Sequence, residues 1–261
     1  MKIAEITTVI ERFAPLALQE SYDNSGLIVG QSGDEVRKAL LAVDVTDAVL
    51  DEAEREGCDL IITHHPLVFH PLLRLNSANQ VQRCVARAIH QGIALYACHT
   101  NLDSAPNGMS WRLATILGIN QLFILQPRAD NPATGFGVVG ELPEALKTEV
   151  FLKQIQEKLT VPAIRHSAIV TDKVRRVAVC TGAGASLMEE VRAAKADLYV
   201  TADLKYNDFM IPDGAFTVAD VGHFESEYCV IDILFEILSE NLHTFAVRKS
   251  EDSCNPINYL I

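Results

Sequence analysis

The sequence predicts an α/β protein made of two pseudo-duplicated α/β halves, with mixed, largely parallel sheets flanked by helices. Three observations predict it. Short apolar runs bounded by turn residues alternate with amphipathic stretches, the pattern of strand–helix–strand crossovers. Asp59-Leu60-Ile61-Ile62-Thr63 recurs as Asp197-Leu198-Tyr199-Val200-Thr201, and at the same offset Leu40-Leu41-Ala42 falls on Ala178-Val179-Cys180, with a helical stretch between in both copies. Each half also ends a strand with a histidine followed four residues later by a carboxylate, His99 with Asp103 and His223 with Glu227. The expected division is 1–125 for the first half, 126–173 for a connecting segment and 174–261 for the second half.

The elements follow in order. Ile3, Ile6, Ile10 and Phe13 make one face of an N-terminal helix. Tyr22-Asp23-Asn24-Ser25-Gly26 is a turn by composition and leads into a strand at 27–30. A strand is expected at 39–45, then a helix at 46–56 that opens on a Thr or Asp cap and closes at Gly57. Leu60 to Thr63 reads as a doubly buried strand ended by Pro66. A helix at 77–90 closes near Gly92, a strand at 93–98 ends at His99, and a helix is expected within 106–118. Residues 126–134, with two prolines, read as a loop between the halves. A strand at 135–141, a helix at 144–159 and a strand at 161–168 precede the second half. There Cys180 to Ser186 reads as a glycine-rich turn between a strand and a helix, with a tight structural turn slightly preferred to an anion cradle.

Composition narrows the function classes. The 261 residues suffice for a full core, and 49% hydrophobic with 21% charged residues is ordinary for a globular protein. A net charge of −12 and the lack of a dense Lys/Arg run argue against a nucleic-acid surface, and Arg175-Arg176 reads as a solvated strand edge. Charges interleaved through the N-terminal helix are not the pattern of a signal-peptide core, and the longest nearly uncharged run, 60–73, is too short for a membrane span. A soluble, cytoplasmic protein is expected. The six cysteines are scattered without a Cys-x-x-Cys pair, so neither a disulfide framework nor a zinc ribbon is indicated.

Chemistry gathers at the strand exits. His64 and His65 follow a buried strand, and ligands of parallel α/β sheets collect at the carboxyl ends of strands. Successive strand residues point to opposite faces, so both can serve one site only if the target exceeds one atom or the chain is already turning. With His99, Asp103, His223 and Glu227 they form an imidazole–carboxylate set suited to zinc, manganese, iron, cobalt or nickel rather than calcium. Six donors over-supply one tetrahedral zinc, whereas two ions sharing a carboxylate would use them. His223 and Glu227 lie on one face if the segment is helical. For His99 and Asp103, Pro106 favours a loop. His70, His90, His166 and His243 have no partners in sequence and read as surface or packing residues.

Taken together, YDNSGLIVG, DLIITHHPLVF, HTNLD, CTGAGAS, DLYVTADLKY, DVGHFESE and the late Asn255-Pro256 resemble, in order and over nearly the whole chain, the NIF-three-like family, also known as GTP cyclohydrolase I type II homologs. The resemblance implies a dinuclear metal site between two related halves, assembled as a homohexameric trimer of dimers. It places His64, His65, Asp103, His223 and Glu227 on the metal-ligand positions, with Glu227 as the bridge and His99 beside the metals. Relatives often carry Thr-Gly-Asp and Tyr-His where this chain has Thr201-Ala202-Asp203 and Tyr206-Asn207. The short segment between the halves implies the form without an inserted domain.

The implied function is metal-dependent hydrolysis of a nucleotide-like substrate such as GTP, with two divalent ions per chain and His99 as the available general acid or base. The alternative is a non-enzymatic metal-handling or adaptor protein assembled as a ring.

Overall fold

A computed structural model describes residues 1–260. In chain order its main elements are α1 (Ile3–Phe13), β1 (Gly26–Val29), β2 (Lys38–Ala42), α2 (Asp47–Glu56), β3 (Leu60–Thr63), α3 (Gln80–Gln91), β4 (Ala94–Ala97), α4 (Thr100–Ser104) and α5 (Met109–Leu117). There follow β5 (Asn120–Pro127), β6 (Gly135–Lys147), α6 (Thr148–Leu159), β7 (Arg165–His166), β8 (Lys173–Ala183) and α7 (Met188–Ala193). The chain closes with β9 (Leu198–Ala202), β10 (Thr217–Asp220), α8 (His223–Glu227), α9 (Val230–Asn241) and β11 (Ala246–Lys249).

These elements form two compact units, one of residues 1–105 and 230–254, the other of 106–229 and 255–261. The limits differ from the linear halves expected from the sequence. The reason lies in the first sheet, whose order is β1-β4-β3-β2-β11. β11 pairs in parallel with β2, Ala246 facing Lys38, so the chain returns to its first unit after completing the second.

In the first unit β2, β3 and β4 run parallel, and only β1 is antiparallel, at the edge. Alternate residues face opposite layers. Leu40, Ala42, Ile61 and Leu95 pack with α2 and α3 through Val49, Leu50, Ala53, Cys84 and Ala88. α1 and α9 pack against each other, with Ile3, Ile6, Ile10, Ile233 and Leu234 buried. Capping is local and legible. Thr46 accepts from the Val49 amide, Asn79 from that of Gln82, and Gly57 and Gly92 close α2 and α3 in the left-handed region. The Asn79 cap starts α3 three residues later than the apolar periodicity indicates.

The second unit carries a mixed sheet of order β5-β6-β8-β9-β10-β7. Val177, Val179, Leu198 and Val200 face α5 and α6, while Ala178, Cys180 and Tyr199 face α7. The repeat is physical. Leu40 faces Ile61 in the β2–β3 ladder as Ala178 faces Tyr199 in the β8–β9 ladder, both parallel and both bridged by one helix.

Three expectations are corrected here. Residues 128–134 are not a connection between halves but the tip of the antiparallel β5–β6 hairpin, both of whose strands belong to the second unit. Residues 144–147, read as the start of a helix, extend β6, because Leu146 and Lys147 pair with Val174 and Lys173. The strand expected at 161–168 shrinks to the two residues of β7 on the edge of the sheet. Arg175 and Arg176 are held by Glu141 at 3.1 and 3.6 Å rather than forming a basic patch. All six cysteines are free thiols, five of them buried. Among the described residues no helix is long and apolar enough to cross a membrane.

The return of the chain is fastened by Glu52, a fully buried carboxylate on α2. It accepts from the Ser250 hydroxyl and from the backbone amides of Glu251 and Asp252 at 3.0 and 3.1 Å. Burial pushes its acidity down, yet these donors and Arg248 outweigh that and hold its pKa below the usual value. A group so depressed adds stability above its unfolded pKa and loses it as pH falls through the folded one. Glu52→Gln is therefore expected to cost about 2 kcal/mol at neutral pH. Urea denaturation of the two proteins would show the gap closing below about pH 4.

Candidate metal centre

In the first unit the β-ladders run one step past the strands. The His65 amide donates to the Val43 carbonyl at 3.1 Å, and the Cys98 amide to the Thr63 carbonyl at 2.9 Å. The Thr63 hydroxyl donates to the His65 carbonyl at 2.8 Å, turning the chain where Pro66 ends the strand. That turn lets both histidines serve one side. The rings of His64, His65 and His99 lie with centroids 5.0, 5.2 and 5.4 Å apart, and one ligand nitrogen from each falls within 4.8 Å of the other two.

Their hydrogen bonds fix which nitrogen is offered. His64 is fully buried and places Nδ1 2.8 Å from the Cys98 carbonyl. His65 Nδ1 lies 2.8 Å from Asp44 Oδ1, and His99 Nδ1 lies 2.8 Å from Asp23 Oδ1. Carbonyl and carboxylate oxygens only accept, so Nδ1 carries the proton in all three rings. In the neutral imidazole Nε2 then holds the lone pair, the form that ligates metal. Asp103 belongs to the same group. Contrary to the loop expected before Pro106, His99 caps the short helix α4 and accepts from the Asp103 amide at 3.1 Å. The Asp103 carboxylate thereby reaches 3.8 Å from His64 Nε2.

The second unit presents a carboxylate–histidine pair of its own. His223 opens α8 and Glu227 closes it, the one-turn spacing expected from the sequence. α8 does not run on into α9: Tyr228 and Cys229 form a turn between them. His223 Nε2 is 2.9 Å from Glu227 Oε2, and its Nδ1 is 2.8 Å from Asp203 Oδ2. Burial favours the neutral ring, but Glu227 and then Asp203 outweigh it and raise the His223 pKa to about 9. An imidazole and a carboxylate that jointly hold a proton are also a donor pair for a divalent ion.

The glycine-rich stretch serves this pair. Cys180 to Ala183 are the end of β8 rather than a turn, and the chain leaves the sheet only at Gly184. Gly182 has φ +61°, and a Cβ there would lie 2.2 Å from Glu227 Oε1. Its amide donates to Ser226 Oγ at 2.9 Å, and that hydroxyl donates to the His223 carbonyl at 2.8 Å. The missing side chain is the space Glu227 occupies. This supports the tight structural reading over the anion cradle.

All six sequence candidates thus fall into the two sets, one per unit. His70, His90, His166 and His243 are exposed and lie outside them. Sequence reasoning misses Asp23, Asp44 and Asp203. The available signal was a carboxylate at or near a strand exit, which is common enough in sequence to carry little weight alone.

The fold and these donor groups define a class: a two-sheet α/β protein with imidazole–carboxylate sets suited to transition-metal ions at its strand ends. The chain belongs to the Duf34/NIF3 (NGG1p interacting factor 3) family, whose model matches residues 1–256. It is 32% identical over 255 residues to a Clostridium perfringens protein named GTP cyclohydrolase 1 type 2 homolog, covering 95% of this chain and 97% of that one. A Nostoc protein of the same name is 34% identical, covering 97% of each. Among solved structures, a hypothetical protein of Staphylococcus aureus matches with a TM-score of 0.92 and 27% identity over 100% of this chain and 99% of that one. Reduced HcgD from Methanocaldococcus jannaschii matches with a TM-score of 0.80 and 28% identity, covering 96% and 98%.

Gly182→Ala should lower stability by about 1–3 kcal/mol, from the left-handed backbone alone, and should also displace Glu227. Thermal denaturation beside Gly33→Ala, a site with open space around it, would show a drop for the first variant and none of similar size for the second.

Proposed function

We propose that this protein is a metal-dependent hydrolase acting on a nucleotide-like substrate. Two divalent ions would be held by His64, His65, Asp103, His223 and Glu227, with Glu227 shared. The observation that carries the reading is the convergence of one ring nitrogen each from His64, His65 and His99 within 4.8 Å, two of them proposed ligands and the third beside them, each ring held at Nδ1 by an acceptor. A packing histidine needs no such arrangement, and three unrelated ones have no reason to adopt it together. Bound ions of this type supply Lewis-acid polarisation and a water of lowered pKa.

The chain's own part is positioning and proton transfer. His99 is half-buried, and its Nδ1 proton rests on Asp23. Burial works against ionisation of Asp23, but hydrogen bonds from His99, Thr100 and Ser25 hold its pKa far below the usual carboxylate range. The negative charge so kept beside the ring suits His99 to act as general base and then acid through Nε2. The naming of several relatives as GTP cyclohydrolase 1 type 2 homologs supports a purine nucleotide as the first substrate to test.

Elemental analysis should find about two ions per chain in the wild type, falling to one or none in Glu227→Ala. Near-zero metal in both after exposure to Zn²⁺ or Mn²⁺ at neutral pH would overturn the reading. His99→Ala is expected to keep the metal and lose roughly 10²–10⁴-fold in turnover of GTP. Full activity in that variant would remove His99 from catalysis.

Ring assembly belongs to the same proposal, whether or not the ring is an enzyme. The loop between β3 and α3 leaves Leu73 96% and Leu75 55% exposed, which is costly for an isolated chain and favours self-association. Light scattering should give the mass of a hexamer, and Leu73→Asp with Leu75→Asp should reduce it. A monomeric wild type would defeat this part.

A further inference from the structure

We propose that Asp23, Asp44 and Asp203 are positioning residues. Each accepts the Nδ1 proton of one histidine and fixes its ring, so that Nε2 is already turned toward the site before an ion arrives, as a metal donor in His65 and His223 and as the proton-transfer atom in His99. The inference rests on the metal-binding reading above.

Three carboxylates from three separate segments make the same choice. Asp23 lies in the turn before β1, Asp44 just after β2 and Asp203 just after β9, and each sits 2.8 Å from Nδ1 of its histidine. The fourth histidine, His64, makes the same choice through a backbone oxygen, the Cys98 carbonyl. In water the neutral imidazole of histidine prefers to carry its proton on Nε2, the atom that must be bare to bind a metal. A carboxylate at Nδ1 reverses that preference, restrains rotation of the ring and makes Nε2 a stronger donor.

The surroundings of these residues fit that task. The Asp23 side chain is fully buried and takes hydrogen bonds from Ser25 Oγ at 2.8 Å, from the Thr100 amide at 3.0 Å and from the Thr100 hydroxyl, besides His99. With the Asn24 amide at 2.7 Å, five donors from four other residues leave the carboxylate almost no freedom. Asp203 holds its place at φ 56°, the left-handed region that a residue with a side chain enters at a cost. Asp44 is the simplest case. Its side chain is 41% exposed and its hydrogen bond goes to His65. A surface aspartate kept only for solubility has no need to meet a half-buried ring at that distance.

Asp44 is accordingly the residue to test, since its removal threatens the fold least. Long-range ¹⁵N–¹H correlation of the metal-free full chain, with labelled histidine and at about pH 8 so that ordinary imidazoles are neutral, reads the tautomer directly. His64, His65 and His99 are expected as Nδ1–H. Asp44→Ala should move His65 to Nε2–H and leave His64 unchanged. Asp44→Asn, whose amide oxygen still accepts, should keep His65 as it was. In competition with a chromophoric chelator for Zn²⁺, Asp44→Ala and Asp203→Ala should each lose about 10–100-fold in affinity, and Asp44→Asn should recover most of it. A merely structural role would move neither the tautomer nor its rescue.

Asp23→Asn extends the test to His99 without emptying the buried site. Wild type that binds Zn²⁺ while Asp44→Ala keeps both the tautomer and the affinity would refute the positioning role alone. Wild type that takes up no Zn²⁺ would refute the metal reading, and this inference with it.

Discussion

Parallel pairing of β2, β3 and β4 is the constraint on which the candidate centre depends. In that arrangement Leu41, Ile62 and Tyr96 lie side by side, so the three strands end at one level of the sheet. The residues that follow each strand are then neighbours in space although they are far apart in sequence. Asp44 follows β2, His64 and His65 follow β3, and His99 follows β4. The ladder also uses the candidate ligands themselves. The Cys98 carbonyl, past the end of β4, accepts from His64 Nδ1, so one hydrogen bond both satisfies a backbone group beyond the ladder and orients a candidate ligand ring. Burial of both faces by apolar residues makes a register slip costly, because it would turn core side chains toward the wrong layer.

Electrostatics distinguishes the two donor sets. In the first unit three imidazoles share their surroundings with Asp23, Asp44 and Asp103; Asp23 and Asp44 stand at Nδ1 of their rings and Asp103 reaches 3.8 Å from His64 Nε2. In the second a single histidine lies between Asp203 and Glu227 and is charged across the neutral range. A divalent ion replacing that proton would meet the same two donor atoms. Gly182 makes the arrangement affordable by leaving room for the Glu227 carboxylate against the end of β8.

Much of this was legible before the structure. Leu60 to Thr63 is a strand because four apolar or β-branched residues are closed by a turn and a proline, and α2 is a helix with the cap and the terminal glycine in the expected places. The repeat was visible in Asp59–Thr63 and Asp197–Thr201, and the register of the two ladders agrees with it. Less was legible where local signals compete with pairing. Cys180 to Ala183 has the composition of a turn, yet β9 on one side extends it as strand to Ala183, where it faces Ala202. Residues 128–134 look like a linker by their prolines, but a hairpin tip and a linker share one composition.

The sequence by itself determined the type of fold, the repeat and the six candidate site residues, because apolar periodicity and rare His-x-x-x-acid spacings are local properties of the chain. Tertiary structure decided the rest. That β11 returns to pair with β2 is set by hydrogen bonds between residues some two hundred positions apart, about which neither segment carries local information. That Asp23, Asp44 and Asp203 stand behind His99, His65 and His223 follows from where strands and turns end in space. Aspartates are frequent in turns for their own backbone reasons, so only contact separates the three that hold a histidine from those that merely cap a loop.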